Sequence, residues 1–211
     1  MNKFERAAGT AASQPQIRSV PLKLSFVELI AALMALTALS IDIMLPALPA
    51  IGTALGASTE NDRQLVVILY MAGFAVGQLL YGPLSDRLGR RPVLLSGLAI
   101  FLVGTLGALL SGSFTTLLAA RLVQGHSAAS PRVVAMAVVR DLQSRRQMAR
   151  VMSFAMMVFV IIPVLVPSVG QDLLHLGDWR WTFDALLVMG IAISVLPNLR
   201  NWSSLTSQTD G

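Results

Sequence analysis

The chain of 211 residues contains no cysteine. That removes disulfide cross-links, thiolate catalysis and thiolate metal ligation, and it leaves the redox compartment unreadable. Charge is scarce too: charged residues make up 13% of the chain against 55% hydrophobic residues, far from the balance of a soluble domain. Only two histidines occur, His126 and His175, and neither has the spacing or the acidic neighbours of a metal site. No metal and no cofactor is therefore expected. No Gly-x-Ser-x-Gly or Gly-x-Ser-Gly stretch occurs, and no second aspartate shares a likely mid-membrane site with Asp42. Intramembrane proteolysis lacks its residues, and the chain is read as not an enzyme.

What the chain has instead is long apolar runs. A membrane helix needs about 20 mostly apolar residues, and six segments qualify: Leu24–Leu45, Gln64–Leu84, Val93–Leu110, Phe114–Val139, Val151–Val169 and Arg180–Pro197. The mean hydropathy is +0.68. The fold class that follows is an all-α integral membrane protein with a six-span bundle over residues 24–197, a polar N-terminal segment at 1–23 and a polar tail at 198–211. The first apolar run exceeds a signal-peptide h-region, and Pro46 and Pro49 crowd the only small-residue site after it, so cleavage is not expected.

The formal charge of +5 could suggest nucleic acid as a partner, but the basic residues cluster between the apolar runs. That is topology signal, and no nucleic-acid partner is expected. With the N-terminus inside, Lys3, Arg6, Arg18, Lys23, Arg87, Arg90, Arg91, Arg140, Arg145, Arg146 and Arg150 lie on one side of the bilayer, and only Arg63 and Arg180 on the other. Eleven against two predicts cytoplasmic N- and C-termini in an inner (plasma) membrane protein.

An ionisable side chain inside a span costs about 2.5–3.5 kcal/mol on insertion scales, so each one needs a reason. Asp42 lies near the outer end of the first span and Glu28 near its inner end. Fourteen positions apart, they differ by about 40° around a helix and share a stripe; each is either a functional carboxylate or a solvated interfacial one. The fourth span carries Arg121-Leu122-Val123-Gln124-Gly125-His126. Arg121 lies about 10 Å from the outer end, where snorkelling is strained. Such a guanidinium needs an acidic or carbonyl partner, and beside a carboxylate it lowers that group's proton affinity. His126 is either a packed or water-facing histidine or a proton relay. Arg132 follows Arg121 by three turns on one face, and points either into a water-filled cavity or toward the headgroups.

Gly82-Pro83-Leu84-Ser85-Asp86-Arg87-Leu88-Gly89-Arg90-Arg91-Pro92 is a polar turn clamped between two apolar runs. Its glycines and prolines predict a break in helix and a sharp reversal. In the fifth span, Pro163 and Pro167 lie four apart on one face, where they predict a kink or a loosened segment. Gly73 and Gly77 form a small-xxx-small face for helix packing.

The arrangement Gly-x-x-x-Asp-Arg-x-Gly-Arg-Arg from Gly82 to Arg91 resembles the loop between the second and third helices of major facilitator superfamily transporters. With Asp42–Pro49, Gly77–Pro83, Arg121–Gly125, Val139-Arg140-Asp141, the Pro163, Pro167 and Gly170 motif and Trp179-Arg180, the chain resembles the drug:proton antiporters of that superfamily, above all the bicyclomycin-resistance (Bcr/CflA) branch. The resemblance implies one half of that fold, a three-plus-three inverted repeat, and proton-coupled efflux of drugs or small molecules. It implies that Asp42, Arg121, Gln124 and Arg132 lie on the substrate and proton pathway. Gly82, Asp86, Arg87, Gly89, Arg90 and Arg91 would form the gating loop, and Pro163, Pro167 and Gly170 the antiporter helix motif. Gln171 departs from the pattern, standing where a second glycine is frequent. Family members have twelve spans and six are found here, so the expected partners are the lipid bilayer, protons, a small-molecule substrate and a second copy or C-terminal half. The other reading is a non-transporting remnant or membrane interaction module.

Overall fold

A computed structural model describes residues 24–57, 59–142 and 145–199. The expected polar segment 1–23 lies outside the described residues, as does the tail from residue 200 onward. Seven helices follow in order, and no strand occurs among the described residues: α1 (Leu24–Asp42), α2 (Leu48–Leu55), α3 (Glu60–Leu88), α4 (Arg90–Leu109), α5 (Phe114–Leu142), α6 (Arg145–Leu176) and α7 (Arg180–Leu199). Three described stretches are long and apolar enough to cross a bilayer, Asn61–Leu88, Arg90–Leu109 and Met148–His175, with mean hydropathies of 1.8, 2.1 and 2.3. The helix α5 has the length, at 29 residues, but Arg121, Gln124, His126 and Arg132 interrupt its apolar run.

Several boundaries differ from the sequence expectation. The first span ends three residues early, at Asp42, and a chain of turns leads to α2, which the sequence analysis did not separate. Pro46 supplies the reason, since it offers no backbone N–H and disfavours helix at Leu45 before it. Pro49 suits the first turn of α2, where an N–H would be unpaired anyway, and Gly56 closes that helix in the left-handed region at φ 71°.

The expected break from Gly82 to Pro92 shrinks to one residue. Gly82, Pro83, Asp86 and Arg87 are helical within α3, and Arg90 already belongs to α4. Gly89 alone turns the chain, at φ 92° and ψ 156°. Only glycine takes that conformation without strain. Pro92 falls in the first turn of α4, where its missing N–H has no helical acceptor to lose. Likewise α6 runs through Pro163 and Pro167 as one helix.

Close backbone approach holds the bundle together. A Cβ at Gly73 would overlap the Leu122 carbonyl, one at Gly77 the His126 carbonyl, and one at Gly125 the Tyr70 carbonyl, so α3 and α5 meet backbone to backbone. That contact matches the small-residue face read from the sequence. On the other side of the bundle, a Cβ at Gly170 would stand 2.6 Å from the Ile43 oxygen, which seats α6 on the end of α1. Exchanging α1 with α5, α3 with α6 and α4 with α7 maps the α3–α5 contact onto α6–α1 and the α4–α7 contact onto itself. This is the pairing an inverted three-plus-three repeat requires.

Candidate functional site

Arg121 is fully buried, yet each of its three guanidinium nitrogens donates a hydrogen bond. Its Nη2 donates to the Ser40 carbonyl at 3.1 Å, its Nε to the Val66 carbonyl at 3.3 Å and its Nη1 to Gln124 Oε1 at 2.7 Å. Its Cζ also lies 4.6 Å from the centroid of the Tyr70 ring, a cation–π contact. Because α1 ends at Asp42, the Met44 N–H turns back to Ile41 and leaves the Ser40 carbonyl free. Arg121 therefore caps the end of α1, where the helix dipole favours a cation. The amide of Gln124 continues the network, donating to Thr105 Oγ1 at 2.7 Å, and Thr105 donates to the Phe101 carbonyl at 2.8 Å. Two side chains on α5, Arg121 and Gln124, thus tie together α1, α3 and α4.

Of the acidic or carbonyl partner that the sequence left open for Arg121, the structure supplies carbonyls. Arg121 meets carbonyls and an amide, and no hydrogen bond or ion pair joins it to Asp42. Asp42 is half-buried and its carboxylate has no such partner among the described residues. Nor does Arg121 share a cavity with Arg132: Arg121 and Gln124 are sealed in the core, whereas Arg132 lines open space. The three turns between them keep the two arginines on one helix stripe. What surrounds each turn of that stripe differs: carbonyls of α1 and α3 at Arg121, open space at Arg132.

The open space is a cavity of about 470 Å³ at the end of the bundle where α3 runs into α4. Arg132, Val133, Met136, Ala137 and Arg140 face it from α5, with Gln78, Gly82 and Asp86 from α3 and Arg90 from α4. Beside it, Arg90 is the hub of an ion network. Its Nη1 lies 2.7 Å from Asp86 Oδ1 and 2.6 Å from Ser85 Oγ, and its Nη2 lies 3.1 Å from Asp141 Oδ2. The latch therefore joins the α3–α4 turn to the end of α5. Arg87 and Arg91 are exposed and make no ion pair among the described residues. Gly82 has nothing within 4 Å of where a Cβ would stand.

Of the fifth-helix motif, Gly170 makes the tight contact and Gln171 is exposed. The missing second glycine thus costs that contact nothing. Pro163 is exposed and Pro167 half-buried. Glu28 is exposed, and the His126 ring lies 5.3 Å from that of Tyr81. Ser40, Tyr70 and Thr105 sit in apolar runs and carry no local sequence signal of this role. Nor does the sequence signal the capping role of Arg180, whose Nε and Nη2 donate to the carbonyls of Leu109 and Ser111 at the end of α4.

A family model described as Major Facilitator Superfamily matches residues 30–201. The chain is 37% identical over 165 residues to the multidrug resistance protein MdtL of Escherichia coli (strain K12 / DH10B), covering 78% of this chain and 42% of that protein. It is 34% identical over 180 residues to the uncharacterized MFS-type transporter YdgK of Bacillus subtilis (strain 168), covering 84% of this chain and 44% of that one. It thus spans about half the length of the curated relatives it matches. Among solved structures, the MFS proton:xylose symporter XylE bound to 6-bromo-6-deoxy-D-glucose superposes with a TM-score of 0.74 at 16% identity, over 83% of this chain and 44% of the other. The human organic anion transporter MFSD10 (TETRAN) superposes with a TM-score of 0.62 at 24% identity, over 87% and 47%. At those identities the likeness establishes the fold alone.

Proposed function

The chain belongs to the Major Facilitator Superfamily, and from that premise we propose that it is a six-helix bundle of a transporter that exports drugs or other small molecules in exchange for protons. The observation that carries this reading is the Asp86–Arg90–Asp141 latch beside the cavity. An ion network that joins two helix ends beside a cavity has two arrangements, made and broken, as a gate needs. Within the superfamily we assign the chain to the bicyclomycin-resistance (Bcr/CflA) branch, supported by the Arg121–Gly125 and Pro163–Gly170 stretches. Asp42, half-buried and without an ion-pair partner, is the carboxylate we assign to proton exchange. Alternating access moves one bundle against another, so this bundle works against a second copy or a C-terminal half. The placement in the inner membrane with both termini cytoplasmic rests on the eleven-to-two basic asymmetry. Catalysis of a chemical reaction has no part in this reading.

The test is gradient-driven export from vesicles, with the chain as a monomer, as a linked pair of copies and joined to a relative's C-terminal half. Export is expected only where two bundles are present, and Asp42→Asn should abolish it while expression is unchanged. Export by a proven monomer, or by the Asp42→Asn form, overturns the reading. A non-transporting interaction module is the second reading. It is favoured by Arg121, each of whose three guanidinium nitrogens donates to a group inside this one bundle.

A further inference from the structure

The cavity at the α3–α4 end has an uneven charge balance. Arg90, Arg132 and Arg140 face it, and the carboxylates that meet them are Asp86 and Asp141. Arg90 spends its charge on both carboxylates, and Arg140 Nε reaches Asp141 at 3.9 Å. Arg132 makes no hydrogen bond and no ion pair among the described residues. Its guanidinium instead lies 5.1 Å from the centroid of Phe159 and 6.0 Å from that of Phe74, so two rings position the cation and leave its N–H groups without an acceptor. A half-buried cation of this kind retains only part of its hydration and strongly favours an anion.

The walls define the rest of the ligand. Val133, Met136 and Ala137 lie between Arg132 and Arg140 on one helix face, and the two arginines stand about 12 Å apart along the axis. A volume of about 470 Å³ is in the range of small-molecule sites, which are mostly apolar with a few placed polar groups.

We propose that this cavity binds a monoanion with an apolar body, its carboxylate or phosphodiester on Arg132 and its body along Val133, Met136 and Ala137. The single negative charge follows from three guanidinium groups set against two carboxylates. The inference rests on the export reading for its place in transport, and it names organic anions as the substrate class. An anionic lipid headgroup offers the same chemistry, and the test separates the two sources.

The full chain in phosphatidylcholine nanodiscs is titrated with 2-naphthoate, 2-naphthamide and 2-naphthylmethylammonium, with no gradient present. Naphthoate should bind about tenfold more tightly than the amide, the scale of one charge-assisted hydrogen bond, and the ammonium more weakly than either. R132Q should erase that preference, and R132K should keep part of it with the helical circular dichroism of both unchanged. If discs containing phosphatidylglycerol weaken naphthoate binding to the parent chain but not to R132Q, a lipid phosphate occupies the same anion site. If they have no effect, the anion is a free molecule. Equal binding of naphthoate and naphthamide overturns the inference, as does a preference that survives R132Q. Anion binding by a two-bundle form that exports nothing would sink the export reading alone. Export indifferent to ligand charge would sink this inference alone.

Discussion

Substituting Arg121 by Met tests whether the buried guanidinium holds the bundle together. The methionine is apolar and unbranched but shorter, so the change removes the hydrogen bonds together with the guanidinium's contact with the Tyr70 ring. Two acceptors would be orphaned: the Ser40 carbonyl at the end of α1, and Gln124 Oε1. Val66 lies inside α3 and keeps its helical donor. A buried acceptor left unpaired costs about 1–3 kcal/mol, so the two together cost about 2–6 kcal/mol. Relief from burying a charge offsets part of that, and we expect a net loss of about 2–4 kcal/mol. Gln124→Leu alone should lose about 1–3 kcal/mol, since it strands one N–H of Arg121 in the core. In the double variant the stranded amide and the stranded N–H are both absent. The combined loss should therefore fall short of the sum by about 1–2 kcal/mol, as expected for contacting residues. Reversible unfolding in mixed micelles, followed by circular dichroism, measures all four corners of the cycle. Additivity within about 0.5 kcal/mol would show that the two side chains do not act as a unit, and would refute the network.

The glycines separate close approach from habit. Gly125→Ala should destabilise by about 1–3 kcal/mol, since its Cβ meets the Tyr70 carbonyl, whereas Gly82→Ala in α3 should be neutral or stabilising by about 0.5–1 kcal/mol, since nothing surrounds it; the same micelle assay ranks them, and the reverse order would contradict the packing. Gly89→Ala should lose about 1–3 kcal/mol through strain at φ 92°, and a loss below 0.5 kcal/mol would mean the turn relaxes freely. Cysteines placed singly at Gly112 and at Arg145 should label from opposite faces of the membrane, and labelling of both from outside would overturn the orientation.

How much was legible follows from how far each signal reaches along the chain. Apolar runs and the placement of arginines are local, so the six long helices, their order and the family resemblance could be read without coordinates. Gly73 and Gly77 were legible for the same reason, since a spacing of four sets one face of a helix. Element ends were less so. Pro83 suggested a break, but in a bundle the neighbouring helices hold a proline-containing helix together, and only Gly89 interrupts the chain at that turn. The sequence could establish that Arg121 lies deep in a span and needs a partner. Three-dimensional packing chose the partner, because the Ser40 carbonyl is free only where α1 ends, and that end reaches Arg121 only when α1, α3 and α5 are assembled. It also parted Arg121 from Arg132, which sequence spacing put on one stripe. A buried site filled by carbonyls and a cavity lined by charge differ in what the other helices bring, and no spacing within one helix encodes that.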